Sequence, residues 1–416
     1  MNGYKLTEAG LIPEDWDVST VGREFHVQLG KMLDAERNKG VPKPYVGNRA
    51  VRWGSFDTAE IRSVPMSPAD LARYRLKAGD ILACEGGEVG RSAIWNDEIP
   101  ECYYQKALHR LRPKNNYNSR LLVALFYRAS TSGGFANFVS QTSIAHLTKE
   151  KFQTFPIIKP SEDEQAAIAE ALSDMDEAIA AQVAVVAKKR ALKTATMQAL
   201  LSGTRRLPGF SGEWERRSFD RLFQFLRNGS ASRAALSTNG AIGYIHYGDV
   251  HASPRPHMDC SKGALPRVSR EVVNRLPRVQ DGDLLIADAS EDYDGTGKSV
   301  EATNIGNDEV VAGLHTLLLR PVDKMAPGFA GYLQFIPEVK RQYVAAAQGV
   351  SVYGLSRSAV KSVEVATPKY DEQAAISSCL MDMETDLSLQ QAQFRKLCDL
   401  KAGMAQQLLT GKIRLA

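Results

Sequence analysis

The chain has 416 residues, of which 44% are apolar and 24% are charged. These proportions are typical of soluble globular proteins and exclude the fibrous and intrinsically disordered classes. The net charge of +4 is too small to indicate a nucleic-acid partner by itself. No apolar run approaches the ~18 residues that a membrane span needs, and the first residues do not resemble a signal peptide.

The cysteines indicate a reducing environment. They are Cys84, Cys102, Cys260, Cys379 and Cys398. Their odd number and the lack of a Cys-x-x-Cys pair argue against a disulfide framework and against a cysteine zinc site. We therefore expect a cytoplasmic protein in which these side chains are small buried groups.

An internal repeat organises the chain. Residues 163–207 and 371–415 align without a gap at an offset of 208, with about 20 of the 45 positions identical. Weaker similarities lie upstream, for example between residues 79–82 (GDIL) and 282–285 (GDLL). The repeat predicts two tandem halves, each with a globular segment followed by a long helix.

The helix boundaries follow from local signals. Pro160 and Pro368 precede the two copies and disfavour helix just before them, and acidic residues fill each first turn. Gly203 and Gly411 are suited to end the helices. The predicted segments are a first globular domain (1–160), a central helix (161–207), a second globular domain (208–370) and a C-terminal helix (371–416).

The globular segments are expected to mix α and β structure, which gives an α+β protein overall. Short apolar runs predict strands at 80–83, 107–111 and 314–319. Helices are predicted over 120–129 and 328–347.

Apolar residues recur at heptad spacing in both long helices, which is typical of a coiled coil. The first copy contributes Ile168, Leu172, Met175, Ile179, Val186 and Leu200, with Gln182 in the middle. The second contributes Ile376, Leu380, Met383, Leu387, Phe394, Leu397, Met404 and Leu408, with Gln390 in the middle. We expect an antiparallel pair in which the two glutamines meet. The alternative is two separate amphipathic helices.

The sequence holds no standard motif for catalysis or metal binding. Residues 85–90 (EGGEVG) have glycines at the wrong spacing for dinucleotide binding, and acidic residues precede the Gly297-Lys298-Ser299 sequence. His246, His251, His257 and Cys260 lie within fifteen residues, but their spacing fits no standard zinc site. We therefore predict no catalytic residue, no cofactor and no metal ion.

Several short motifs, each present twice and in the same order, resemble those of the specificity subunit of type I restriction–modification enzymes. The two halves begin with LIPEDW and LPGFSGEW and continue with GDILA and GDLLIA. A Pro-x-x-Asp-Glu-Gln sequence starts each long helix, at 160–165 and 368–373, and Leu-Leu-x-Gly ends it, at 200–203 and 408–411.

This resemblance implies two target-recognition domains, each reading one half of a bipartite and asymmetric DNA target. It also implies that the helices act as a spacer, set the gap between half-sites and dock two modification (methyltransferase) subunits, with restriction subunits joining the complex. Double-stranded DNA is then the ligand, no membrane is involved, and the chain itself is not catalytic. A free-standing DNA methyltransferase or nuclease, and a coiled-coil scaffold without DNA binding, are the alternatives.

The DNA-contacting residues expected are those rich in basic, amide, hydroxyl and aromatic groups. In the first domain they are Tyr45, Asn48, Arg49, Arg52, Trp53, Lys106, Gln141, Thr142, Ser143 and His146. In the second they are His246, Tyr247, Arg255, His257, Lys262, Gln348, Ser351, Tyr353 and Arg357.

Overall fold

A computed structural model of the chain describes residues 3–34, 38–139, 146–261, 265–349 and 352–415. The chain divides into two compact units. The first unit contains residues 1–183 and 392–416, and the second contains residues 184–391. Each unit therefore includes part of both long helices.

The first unit is built around an antiparallel four-stranded sheet. Its strands lie in the order Ser92–Ile94, Ile81–Cys84, Leu108–Pro113 and Phe25–Leu29. The remaining strands are Tyr4–Thr7, Gly10–Pro13, Asp17–Thr20, Val41–Val46, Val51–Arg52, Ser55–Phe56, Arg62–Met66, Tyr103–Tyr104 and Pro156–Lys159. The helices of the globular part are Val21–Glu24, Pro68–Tyr74, Ser119–Thr131 and Lys149–Gln153.

The second unit repeats this sheet and adds a fifth strand. The order is Phe223–Leu226, Thr316–Pro321, Leu284–Ala287, Ser299–Thr303 and His257–Asp259, with the last pair parallel. The other strands are Glu215–Ser218, Ile242–Ile245, Arg267–Val268, Ala289–Ser290, Val310–Ala312, Tyr353–Gly354 and Glu364–Thr367. The helices of the globular part are Phe219–Leu222, Tyr247–Ala252, Arg270–Val273, Phe329–Tyr332, Pro337–Ala346 and Arg357–Lys361.

The mixed α and β character is confirmed, and so are the predicted strands within a residue or two. The single helix predicted over 328–347 is wrong. Two helices, Phe329–Tyr332 and Pro337–Ala346, replace it, because Ile336 precedes a proline and takes an extended backbone (φ −69°, ψ 119°).

The two long helices are Glu162–Leu201 and Tyr370–Leu408, called here the first and second long helix. The glycines predicted to follow them have the left-handed backbone of a helix end, with φ of 70° at Gly203 and 64° at Gly411. Within each unit the helices run antiparallel. In the second unit Lys193 pairs with Glu384 at 2.5 Å and Lys189 pairs with Asp386 at 2.5 Å. The residue numbers therefore rise along one helix as they fall along the other.

The predicted heptad positions face the interior. All sixteen residues named for the seam are buried or half-buried, whereas apolar residues off the seam, such as Leu192 and Leu389, are more than half exposed. Lysines that interrupt the apolar pattern reach acidic residues of the other helix, as Lys401 does to Asp176 at 2.5 Å in the first unit. The contact predicted between Gln182 and Gln390 concerns residues of different units and stays a prediction.

A reciprocal pair of buried anchors holds the helix ends. In the first unit the Trp16 indole donates to Glu164 at 2.8 Å, and Arg414 pairs with the same carboxylate. In the second unit Trp214 donates to Glu372 at 3.2 Å, and Arg206 pairs with it. Each glutamate lies in the first turn of one long helix. The arginine that pairs with it lies just beyond the end of the other long helix.

Candidate nucleic-acid interface

The loops that follow the central sheet strands bring some of the predicted residues together. In the first unit, loop 85–91 follows strand Ile81–Cys84 and contacts segments 47–49, 105–107 and 146–147; we call this surface the first edge. In the second unit, loop 288–298 follows strand Leu284–Ala287 and contacts segments 246–251, 313–315 and 353–355; this is the second edge.

The two edges share one backbone framework. The amide of Glu85 donates to the Ala107 carbonyl at 3.0 Å, and the amide of Leu147 donates to the Glu85 carbonyl at 2.8 Å. The equivalent bonds of the second edge run from Asp288 to the His315 carbonyl at 3.1 Å, and from Leu355 to Asp288 at 2.7 Å. The repeat therefore extends to the loops, although their sequences differ.

Side chains fix the shape of the first edge. Asn48 donates its amide to the Gly86 carbonyl at 3.1 Å, and Arg91 donates to the Asn48 carbonyl at 3.0 Å and to its side-chain oxygen at 3.1 Å. The Trp53 indole donates to Glu88 at 2.5 Å and meets the Tyr127 ring edge-on at 5.1 Å. Asn48 and Trp53 therefore orient loop 85–91.

Two cations of the first edge are free to bind a ligand. Arg49 and Lys106 are exposed, and neither side chain has a hydrogen bond or ion pair among the residues that the structure describes. Arg52 pairs with Asp57 at 3.1 Å instead, and Tyr45 lies half-buried in strand Val41–Val46. His146 is exposed, and its backbone forms an isolated antiparallel β-bridge with Gly86. The predicted residues Gln141, Thr142 and Ser143 lie outside the described residues.

The second edge presents aromatic and histidine rings. Tyr247 meets the His315 ring edge-on at 5.6 Å, and Tyr353 stacks on Tyr293 at 4.0 Å. His251 bonds through Nε2 to the Ala289 carbonyl at 2.8 Å. Gln348 is exposed and bridges to Gly354, beside Tyr353.

Side chains of helix Pro337–Ala346 hold loop 288–298 in place. The Lys340 ammonium donates to the carbonyls of Tyr293, Asp294 and Thr296 at 3.1, 2.7 and 3.0 Å. Burial lowers the pKa of this ammonium. Gly297 has a φ of 74°, and a Cβ there would lie 2.2 Å from the Tyr343 ring, so only glycine fits.

Four predicted residues of the second unit use their side chains for contacts within the protein. His246 is buried and caps helix Tyr247–Ala252 by accepting from Gly248, and burial lowers the pKa of its ring. Arg255 donates to Ser388 of the second long helix at 2.9 Å. His257 bonds to the Gly328 carbonyl at 2.9 Å, and Arg357 donates to the Leu226 carbonyl at 3.0 Å. The predicted residues Lys262 and Ser351 lie outside the described residues.

Sequence reasoning misses loops 85–91 and 288–298 as parts of the two edges. It interprets both only as failed phosphate-binding motifs, since their glycines fit no such pattern. The signal that could have found them is the repeat itself, because both follow the matched GDILA and GDLLIA strands.

Neither a metal site nor a membrane span is found in the described part of the chain. Among those residues no three His, Cys, Asp and Glu side chains are placed to hold a metal ion. None of the helices there is long and apolar enough to cross a bilayer. Burial raises the pKa of the Cys84 thiol to about 11 and that of Cys102 to about 12, so both stay protonated.

Comparisons with known proteins show what this chain is similar to. Residues 13–185 match the family model described as the type I restriction modification DNA specificity domain. A putative type I restriction enzyme MjaX specificity subunit from Methanocaldococcus jannaschii is 22% identical over 437 residues, which cover 99% of this chain and 97% of that protein. Over nearly its whole length the chain is therefore similar to a type I specificity subunit.

Solved structures agree with this fold. An S subunit from M. genitalium matches over 94% of this chain and 96% of its own, with a TM-score of 0.55 and 13% identity. The HsdS subunit from Thermoanaerobacter tengcongensis matches over 97% and 98%, with a TM-score of 0.51 and 15% identity. A chain from a study of type I complex assembly and conformational transition matches over 97% and 99%, with a TM-score of 0.63 and 15% identity. The predicted resemblance to type I specificity subunits is confirmed, and these comparisons support neither the enzyme nor the scaffold alternative.

Proposed function

We propose that this specificity subunit reads a bipartite, asymmetric DNA target through the first and second edges. The recognition domains are residues 1–160 and 208–370. The observation that carries the proposal is that both edges share one backbone framework but present different side chains. Because the frame is the same and the contacts differ, each domain reads its own half-site.

The first edge supplies the electrostatic part of this binding. Arg49 and Lys106 are exposed and unpaired within the described chain, and Asn48 holds loop 85–91 of the same edge. Phosphate contacts from such cations position a protein on DNA without reading its sequence. The Asn48 side chain is engaged by Gly86 and Arg91, so it supports the edge.

The long helices form the spacer and the assembly surface. They interact with two modification subunits and, through the complex, with restriction subunits, in the cytoplasm. Their 40 and 39 residues correspond to about 60 Å of helix. The apolar side chains that lie off the seam, Leu192 and Leu389 among them, leave apolar surface available to a partner helix.

Long-read methylation sequencing of host DNA, with and without this gene, tests the proposed function. We expect a two-part motif with unlike halves that disappears when the gene is removed. A palindromic motif, or an unchanged methylation pattern, would contradict the proposal.

The contribution of the first edge is tested by the double substitution Arg49→Ala and Lys106→Ala. We expect binding of the assembled complex to weaken on all sequences alike. The slope of log K against log salt should become shallower by about 0.9 for each phosphate that the protein no longer neutralises. Lys77→Ala is the matched control, because Lys77 is an exposed cation before the start of strand Ile81–Cys84 rather than at its end. An unchanged salt slope in the double variant would remove the first edge from the DNA interface.

A further inference from the structure

We propose that His315 is a specificity-determining residue that contacts a base edge through its Nε2 atom. This inference rests on the proposed function, because it names one side chain through which the second edge reads DNA. It is carried by the orientation of the ring, by the backbone that presents it and by its counterpart in the first unit.

Two neighbours from different segments orient the ring. Nδ1 of His315 lies 2.8 Å from Oδ1 of Asp288. Because a carboxylate only accepts, Nδ1 carries the proton and donates it. The Tyr247 ring meets the imidazole at an interplanar angle of 86°. The side chain is 50% exposed, and Nε2 has no hydrogen-bond partner within the described chain.

The backbone at this position is uncommon outside glycine. His315 has a φ of 55°, in the left-handed region that among other residues asparagine, aspartate and histidine adopt most often. Its carbonyl accepts the amide of Asp288, a bond that any residue could make. A ring that two neighbours hold in place and that stays half exposed indicates a role for the ring itself.

The first unit provides the comparison. At the offset of 208 the counterpart of His315 is Ala107, whose carbonyl accepts from Glu85 in the same way. The same backbone position therefore carries a methyl group in one unit and an oriented imidazole in the other. When Nδ1 carries the only ring proton, Nε2 is an acceptor, and in the major groove it fits the amino group of adenine N6 or cytosine N4.

His315→Asn is the decisive variant. Asparagine tolerates the left-handed backbone and can still bond Asp288, but it does not reach the position of Nε2. We expect the assembled complex to lose about 10-fold discrimination at one base pair of one half-site, with the other half-site and the salt slope unchanged. His315→Gln extends an amide toward the Nε2 position and should retain part of the discrimination. Methylation sequencing and binding to randomised duplexes measure both.

Each other outcome overturns the proposal. Uniform weakening with a shallower salt slope would make His315 a phosphate contact. An unchanged motif in both variants would make it a surface residue. Should His315→Asn lower the melting temperature strongly, the glutamine variant decides, since a purely structural histidine would show no base-specific change in either. A wild-type complex without any two-part motif would instead refute the proposed function.

Discussion

Glu301 is a buried carboxylate of the second unit. Its side chain lies on strand Ser299–Thr303 and is 1% exposed, and its carboxylate accepts the amides of Gly328 at 2.6 Å and Gly331 at 3.1 Å. No cationic side chain bonds to it within the described chain. Burial, which outweighs these amides, raises its pKa from 4.5 to about 7.

The raised pKa of Glu301 predicts that the second unit loses stability toward alkaline pH. Since the folded state holds this proton more tightly than the unfolded state, the stabilisation is complete below pH 4.5 and is lost as pH rises through about 7. The loss amounts to about 3 kcal/mol in the free energy of unfolding. Thermal melting between pH 5 and pH 8 measures it. Glu301→Gln should flatten this dependence, and an unchanged slope would show that another group causes it.

His109 of the first unit is expected to act in the opposite direction. Burial lowers its pKa from 6.5 to about 4, while Nε2 bonds to the Leu147 carbonyl at 2.8 Å. Its stabilising effect is therefore present above pH 6.5 and is lost as pH falls through about 4. His109→Gln should reduce the loss of melting temperature between pH 6.5 and pH 4 without affecting the alkaline side. Equal acid sensitivity in variant and wild type would contradict this.

The Pro-x-x-Asp-Glu-Gln sequence has one physical role in both helices. Gln165 donates to the Pro160 carbonyl at 2.9 Å and accepts the amide of Asn118 at 3.0 Å. Gln373 makes the same two bonds, to Pro368 at 2.9 Å and from Ala326 at 3.1 Å. The glutamine therefore ties the start of each long helix to the globular part of its unit.

Replacing either glutamine should destabilise its own unit. Gln165→Ala and Gln373→Ala each remove a buried side chain that satisfies a backbone donor and a backbone acceptor, which we expect to cost about 2–4 kcal/mol. Asp163→Ala and Asp371→Ala are matched controls, since these carboxylates are exposed on the first helical turn and should cost at most about 1 kcal/mol. Denaturant unfolding measures the difference. Equal effects of the glutamine and aspartate variants would refute this role.

The long helices are predictable because their signals are local. A periodic apolar pattern, an acidic first turn and a closing glycine each act over a few residues. The break at Pro337 is equally local, and the predicted helix over 328–347 overlooks it. Loops 85–91 and 288–298 could not be placed, because tertiary contacts from distant segments, such as Asn48 to Gly86, determine their shape.

At the scale of the whole molecule, the duplicated halves keep the same buried contacts and differ in their exposed side chains. Each unit has a buried aspartate paired with an arginine, Asp80 with Arg112 at 2.6 Å and Asp283 with Arg320 at 2.7 Å. Each unit also has one tryptophan–glutamate–arginine anchor. The repeat that is visible in the sequence predicts that such contacts occur twice. Which polar residues are available to DNA is harder to predict from the sequence. The side chains of His246, Arg255, His257 and Arg357, for example, bond to other parts of the protein.

The spacer role is tested by shortening both long helices together. Deleting one heptad from the middle of each keeps the seam in phase and removes about 10 Å, the rise of about three base pairs. We expect the gap between half-sites to shrink by about that amount while the half-site sequences stay the same. Long-read methylation sequencing reports both. An unaltered gap would mean that the helices do not set it.

The reciprocal anchors also make the order of synthesis matter. Glu164 is held by Arg414, so the first unit gains this partner only after residue 414 has been synthesised. The second unit has both members of its own anchor, Arg206 and Glu372, before that point. A stop codon just before Arg414 would therefore harm the unit whose globular part is synthesised first.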